Sequence, residues 1–118
     1  MSRGRPPVNG LKDALVIARI RGRVLVFVQD GECPAEFAIR IRGKLVFVRV
    51  RRAVPFRLTA QQLETEFRWA IDELSGLRES GQEFFELWLY SKNGTFRFFR
   101  IEPAGLAEIG RDGEPLTP

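Results

Sequence analysis

One segment near the middle of the chain, LTAQQLETEFRWAIDELSG at residues 58–76, constrains the fold more than any other. Its apolar side chains recur at helical spacing, which places them along one face of an amphipathic helix. Thr59 and Gln62 have the spacing of a capping box, and Leu58 and Leu63 have that of a hydrophobic staple, so the helix is expected to begin here. An amphipathic helix needs a partner layer, and the neighbouring segments must supply it.

The segments before this helix have strand patterns. Residues 23–29 form an almost continuous apolar run, which is typical of a strand covered on both faces. Residues 37–42 alternate apolar and basic side chains, Gly43 permits a tight turn, and residues 44–52 return as the next strand. A hairpin is therefore predicted, with its loop at Arg42-Gly43 or at Gly43-Lys44. Glycine at the first loop position favours the second choice, because a type II′ turn requires it there.

Two aromatic-rich strands are predicted after the helix, at residues 84–90 and 96–101. Asn93-Gly94 between them is the preferred pair for a type I′ turn. Asn9 can cap an earlier helix over residues 10–21, which Gly22 would end. The order is therefore α-β-β-β-α-β-β.

This order predicts the α/β (α+β) class, with a single mixed β-sheet of about five strands flanked by two helices. We expect a flexible basic arm at residues 1–8, one domain over residues 9–102 and a loosely ordered tail over residues 103–118, which is rich in proline and glycine.

Composition excludes several classes of function. The chain has no histidine and a single cysteine, Cys33, which excludes an internal disulfide and a histidine-based catalytic triad and leaves no ligands for a zinc site. Cys33 is expected to be inert packing. No long apolar segment and no signal peptide is recognisable, so we expect no membrane association and a cytoplasmic location.

Charge is distributed unevenly along the chain. Between residues 37 and 63 there are seven basic and no acidic residues, whereas the rest of the chain carries 12 basic and 15 acidic residues. A localised positive field of this kind attracts polyanions. The predicted nucleic-acid-binding residues lie on or beside the hairpin: Arg40, Arg42, Lys44, Arg49, Arg51 and Arg52.

Two stretches lie between a first helix and a second, long helix: CPAEF at residues 33–37 and VFVRVRR at residues 46–52. This arrangement resembles the PD-(D/E)XK superfamily of restriction-endonuclease-like and Holliday-junction-resolvase-like nucleases. The resemblance covers about 90 residues and implies a restriction-endonuclease-like fold. It also implies a site at Glu36, Arg49 and Arg51, where active members carry two carboxylates that hold Mg²⁺ and a lysine that assists the attacking water.

The residues at these positions argue against catalysis. The loop at Arg42-Gly43 places Glu36 opposite Arg49, and the loop at Gly43-Lys44 places it opposite Arg51. With either loop, the three side chains project from the same face of the sheet. Two arginines change the formal charge of such a site from −1 to +1, and arginine cannot accept a proton. We therefore expect no bound metal and no cofactor, with Mg²⁺ only if another oxygen ligand has migrated in, for which the carboxylates of Asp13 and Glu64 and the amide oxygen of Gln61 are candidates.

Three hypotheses follow. The first is a nuclease-fold protein with a degenerate metal site that binds DNA or RNA through the basic hairpin and is not an active nuclease. The second is a protein-interaction or structural module, a homodimer through its aromatic strands. If the arginines have only a structural role, Glu36 is expected to form a cross-strand ion pair with one or both of Arg49 and Arg51. The third is an active Mg²⁺-dependent nuclease with a migrated carboxylate.

Overall fold

The computed structural model describes residues 6–27 and 33–116, with the backbone alone for residues 6–9. In these ranges the chain forms three helices, α1 (Pro6–Arg21), α2 (Ala60–Glu66) and α3 (Arg68–Ser75). The strands are β1 (Arg23–Val26), β2 (Phe37–Ile41), β3 (Lys44–Arg52), β4 (Phe84–Tyr90), β5 (Phe96–Glu102) and β6 (Gly105–Ile109). The predicted mixed class is confirmed.

All six strands belong to one sheet, in the order β1-β2-β3-β4-β5-β6. Every neighbouring pair is antiparallel except β3 and β4, which run parallel. A parallel pair needs a crossover between its strands, and α2 and α3 provide it. No described helix is long and apolar enough to cross a membrane.

The sheet has a helical layer on each side, because side chains alternate along every strand. On the α1 face, the apolar residues of α1 pack on Val46, Val48 and Val50 and on an aromatic cluster that includes Trp88. On the α2/α3 face, buried residues of the crossover helices pack on the opposite side chains of β4 and β5, such as Leu87 and Phe99. The aromatic strands are therefore core on both faces.

The central helix begins as predicted and then breaks. Thr59 and Gln62 form both hydrogen bonds of the capping box. The backbone of Phe67 leaves helical geometry, with φ −111° and ψ 24°, and this divides the predicted helix into α2 and α3. Hydrogen bonds from Phe67 to Leu63 and from Ile71 to Phe67 continue across the break, so the two helices keep one apolar face.

Strand β1 differs from its prediction. It is an edge strand, and Leu25 and Val26 are 43% and 54% exposed, so it is not covered on both faces. An apolar run cannot distinguish a central strand from an edge strand, because the pattern carries no information on lateral neighbours. The end predicted for this strand, at residue 29, lies outside the described residues.

Both ends of the described chain contain more regular structure than predicted. Helix α1 begins at Pro6, not after a cap at Asn9, and proline suits the first turn of a helix because that turn needs no backbone donor. Residues 105–109, predicted to belong to a loose tail, form β6 and pair with β5. The Glu64 carboxylate accepts a hydrogen bond of 2.8 Å from the Leu106 N–H and so ties β6 to α2.

Both predicted turn types are wrong. Ile41 pairs with Lys44, so the β2–β3 loop is Arg42-Gly43, and both loop residues have positive φ, 53° and 82°. Positive φ at both positions is the geometry of a type I′ turn, not the type II′ turn that was favoured. At the β4–β5 connection only Gly94 has positive φ, because Tyr90 pairs with Phe96 and leaves a longer loop than a type I′ turn.

Candidate functional site

Arg49 and Arg51 of VFVRVRR lie on the α2/α3 face, with Phe47 preceding them on the same side. The register that pairs Phe37 with Val48 brings Glu36 opposite Arg49. Glu36, Arg49 and Arg51 therefore meet at one place, as the sequence predicts. Their contacts with one another are different from those expected of a metal site.

Both carboxylate oxygens of Glu36 are occupied. Oε1 accepts a hydrogen bond of 2.7 Å from the Val50 N–H, and Oε2 forms a 2.8 Å ion pair with Arg51. The backbone N–H of Glu36 also donates to the Val48 carbonyl oxygen at 3.0 Å. The Glu36 side chain thus continues the pairing of β3 beyond the start of β2, and it has a structural task besides its charge.

Arg49 has a partner that sequence reasoning missed. Its guanidinium donates to Glu73 Oε1 on α3 at 3.0 Å, and its side chain is only 9% exposed. The sequence suggested other candidate metal ligands, at Asp13, Gln61 and Glu64, and the structure places them away from Glu36. Asp13 lies on α1, which packs on the opposite face of the sheet, and Glu64 bonds to β6. Gln61 lies on the exposed side of α2.

The remaining predicted cations are divided between the two faces. Arg40 projects from the α2/α3 face, whereas Lys44 lies on the α1 face with Ile41 and places its ammonium over the Phe84 ring at 5.3 Å. Arg42, in the loop, lines cavities on the α1 face. The predicted binding residues of the hairpin therefore do not share one face, since Lys44 lies on the side of Ile41 and Arg40 on the other.

Arg52 is exposed at the far end of β3, opposite Tyr90. Burial raises the pKa of the Tyr90 hydroxyl above its ordinary value, and the positive charges of Arg52 and Arg51 oppose this shift. Arg52 is thus separated from the hairpin loop by the length of the strand, and the two do not form one surface patch.

A second arginine–glutamate cluster, which the sequence reasoning missed, lies on the α1 face. Glu86 is fully buried and accepts two hydrogen bonds from the Arg21 guanidinium, at 2.8 and 3.1 Å, and one of 2.9 Å from the Trp88 indole. Arg100 approaches the same carboxylate at 3.6 Å and donates to the Gly113 carbonyl oxygen at 3.0 Å. The signal in the sequence is a lone acid inside the apolar strand FFELWLY, because a buried charge needs a partner.

The aromatic side chains proposed as an interaction surface lie largely in the core. Phe85, Trp88, Phe98 and Phe99 are buried, and Trp88 makes edge contacts with the Phe37 and Phe98 rings. A homodimer stays a prediction, and it would have to use other side chains. Cys33 is half-buried and packs beside the cluster of Ala35, Leu74 and Phe85.

In the described part of the chain, no group of three or more His, Cys, Asp or Glu side chains is arranged to hold a metal ion. Comparison with known proteins adds no assignment: the sequence matches no protein-family model and no curated protein with significance. The function must therefore be argued from the geometry described above.

Proposed function

We propose that this protein has a nuclease-like fold with a degenerate metal site, and that it binds the phosphate backbone of DNA or RNA through the end of the sheet formed by the β2–β3 loop. The observation that carries the proposal is unneutralised positive charge at this end. Arg23 and Arg40 are direct cross-strand neighbours, both are exposed, and within the described residues neither forms an ion pair.

Like charges that face each other across two strands destabilise a sheet. A phosphate group between the two guanidiniums would remove this repulsion, and the guanidinium fork suits phosphate geometry. Arg42 and Lys44 add two exposed cations on the other side of the same loop, again with no ion pair among the described side chains. Nucleic acid that approaches the loop end-on would therefore meet cations on both faces of the hairpin.

The conformation of the loop is consistent with a binding role for Arg42. A φ of 53° is a left-handed conformation that costs a residue with a side chain about 1 kcal/mol, whereas asparagine and glycine adopt it readily. Arginine is therefore a poor choice for the loop by itself. An arginine in this conformation is accounted for if its guanidinium contributes to binding.

Two observations support the loss of nuclease chemistry. The Arg51 guanidinium is ion-paired with the Glu36 carboxylate, which the resemblance to PD-(D/E)XK nucleases would assign to a metal ion. Arg49, at the position of a second carboxylate, is itself bonded to Glu73. The order of elements predicted from the sequence patterns, α-β-β-β-α-β-β, agrees with the chain from α1 to β5 if α2 and α3 count as one interrupted helix.

The test is fluorescence anisotropy with labelled duplex DNA, single-stranded DNA and RNA across a salt series. The variant Arg40→Gln/Arg42→Asn/Lys44→Gln removes three cations and creates an Asn-Gly loop that suits the type I′ turn, so it is expected to fold. Because each neutralised phosphate releases counterions, the slope of log affinity against log salt should become shallower by about one for each phosphate that the variant no longer binds.

The matched control is Arg19→Gln/Arg57→Gln/Lys92→Gln, which removes three exposed cations from other parts of the surface. It should leave the slope closer to that of the wild type. If no nucleic acid binds at low salt, or if the two triple variants behave alike, the binding proposal is wrong and the protein-interaction hypothesis takes its place. Mg²⁺-dependent cleavage of the probes that Glu36→Ala abolishes would instead favour the active-nuclease hypothesis.

A further inference from the structure

Two adjoining cavities on the α1 face lie outside the site predicted from the sequence. Their volumes are about 690 and about 280 Å³, and they share walls formed by the C-terminal end of α1, the β2–β3 loop and the turn that follows β6. Together they are called the Arg21 pocket here, because Arg21 lines both cavities. The larger cavity has the size of ordinary small-molecule sites, which span roughly 300–1,000 Å³.

The pocket is built around the buried cluster of Glu86. Arg21 is only 7% exposed, its guanidinium is fixed by the two hydrogen bonds to Glu86, and its Nε atom is buried with no hydrogen-bond partner among the described residues. The Nε atom of Arg100 is likewise buried with no hydrogen-bond partner among the described residues. Gly113, with φ +88°, packs so closely that a Cβ atom there would lie 2.6 Å from an Arg21 nitrogen. The positions of the guanidiniums are thus set by the core and not by solvent.

The charge of the lining favours an anion. Five cationic and two anionic side chains line the two cavities, and Glu86 lies behind them. Glu86 is shared between Arg21 and Arg100, so one carboxylate faces two guanidiniums. Arg42, Lys44 and Arg111 at the rim are exposed and form no ion pair with any described residue.

The remaining wall is apolar. Ile17, Ile20 and Ile41 line the larger cavity, and Val46 and Phe84 line the smaller one. Ile20 is 78% exposed, so its aliphatic surface in this wall is accessible to a ligand. A ligand for this pocket should therefore combine an anionic group with an apolar or aromatic body.

We infer that the Arg21 pocket binds an organic phosphate monoester, with the phosphate among the arginines and its carbon skeleton against the isoleucine wall. Arginine recognises phosphate through paired N–H donors, and a site with one apolar wall and a few fixed polar groups is typical of small-molecule recognition. The phosphate could be carried by a free nucleotide or by the phosphorylated end of a nucleic-acid strand. Both present the same chemistry to the pocket.

This inference is separable from the proposed function, although Arg42 and Lys44 belong to both surfaces. Binding along the nucleic-acid backbone needs no terminal phosphate, whereas the pocket needs one. Arg111 and Ile20 line the pocket and are not part of the hairpin, and both are exposed, so Arg111→Glu and Ile20→Glu change the pocket with little effect on the core.

Calorimetric titration of the full chain with adenosine 5′-monophosphate, adenosine and inorganic phosphate tests the pocket. The monophosphate should bind at least about tenfold more tightly than either fragment, because only it contacts both walls. Arg111→Glu and Ile20→Glu should each weaken it by about tenfold, since each places a carboxylate near the phosphate. Lys92→Glu changes the net charge by as much as Arg111→Glu but lies at the β4–β5 loop, so it should leave the affinity for the monophosphate unchanged.

A second arm uses one oligonucleotide with and without a 5′-phosphate. If the phosphate strengthens binding to wild type but not to Arg111→Glu, the strand end is the source; if only the mononucleotide depends on Arg111, the source is a free nucleotide. If no organic phosphate binds at millimolar concentration, or if Arg111→Glu and Lys92→Glu are equivalent, the inference is wrong. If oligonucleotides bind equally well with and without the 5′-phosphate and no nucleotide binds, the inference about the Arg21 pocket is wrong. The proposal that the hairpin binds the nucleic-acid backbone is then unaffected.

Discussion

The two arginine–glutamate clusters lie on opposite faces of one sheet, and their surroundings differ. On the α1 face, Glu86 is fully buried, accepts hydrogen bonds from Arg21 and Trp88 and forms an ion pair with Arg100. On the α2/α3 face, Glu36 and Glu73 each hold one arginine, and the side chains of Arg51 and Glu73 are 35% and 39% exposed.

The same pair of residue types therefore has two different energetic roles. A carboxylate without access to water must be compensated within the protein, and losing its partner leaves an unpaired buried charge. A carboxylate at the surface can exchange its arginine for water at little cost. Substitutions at three sites, Glu86, the pair of Glu36 and Arg51, and Glu83, should lower the free energy of unfolding by successively smaller amounts.

The largest effect is expected at the buried cluster. Glu86→Gln keeps the shape of the side chain but leaves Arg21 and Arg100 without a counter-charge, so the free energy of unfolding should fall by about 3–5 kcal/mol. Such a loss is a large part of the total stability of a domain this size. Urea denaturation followed by tryptophan fluorescence and circular dichroism measures it.

The control is the double variant Glu86→Gln/Arg21→Gln, which removes one of the two stranded charges. It should be more stable than Glu86→Gln alone, because the two residues are in direct contact and their effects are not additive. A cost for Glu86→Gln below about 1 kcal/mol would mean that water reaches the cluster, since solvated ion pairs contribute no more than this.

The second effect, at the more exposed cluster, should be smaller and asymmetric. Glu36→Ala removes the acceptor of the Val50 N–H as well as the Arg51 partner, and an unsatisfied backbone donor costs about 1–3 kcal/mol. Arg51→Ala removes the ion pair and the hydrogen bond from Arg51 to the Val50 carbonyl oxygen, but it leaves the Val50 N–H bonded to Glu36 and should cost only about 1 kcal/mol. Equal losses of stability for the two variants would show that the ion pair, and not the backbone bond, is what Glu36 contributes.

The smallest effect concerns an acid with no arginine partner in the described residues. Glu83 accepts hydrogen bonds from the backbone N–H groups of Glu79, Ser80 and Gly81 and from the Ser80 hydroxyl. The backbone N–H of Ser80 has the largest effect on the pKa of Glu83 and, with the backbone N–H groups of Glu83 and Glu79 and the Ser80 hydroxyl, lowers it from 4.5 to about 2 against an opposing effect of desolvation. The folded state therefore binds this proton less readily than the unfolded state does.

Because the folded pKa is depressed, the stabilisation by Glu83 is fully present above pH 4.5 and is lost as the pH falls towards 2. The difference in stability between wild type and Glu83→Gln should narrow across this window and stay constant above it. Thermal unfolding at a series of pH values measures the difference. A difference that does not vary between pH 2 and pH 6 would contradict the role of the hydrogen bonds to the carboxylate.

Local pattern was sufficient for most of the elements. The capping box, the apolar stripe of the central helix, the hairpin of β2 and β3 and the aromatic strands were all predicted, because each depends on residues a few positions apart. The meeting of Glu36 with Arg49 and Arg51 was also predictable, since a hairpin loop sets the register of its strands.

Contacts between distant segments were not predictable in this way. Glu86 and Arg21 are 65 positions apart, and Glu73 reaches Arg49 only because the crossover helices pack on that face of the sheet. The edge position of β1 and the pairing of β6 with β5 depend on which strands become neighbours, which no periodicity encodes.

The amino-acid sequence by itself determined the types of element, their order and the basic character of the hairpin, because these follow from backbone preference and from the alternation of side chains. The tertiary structure alone decided which arginines are neutralised and which have no ion-pair partner in the described part of the chain. That outcome depends on burial and on distances between segments far apart in the chain. It also divides the predicted basic surface into ion-paired arginines on the α2/α3 face, cations at the hairpin loop that form no ion pair within residues 6–27 and 33–116, and a pocket on the α1 face.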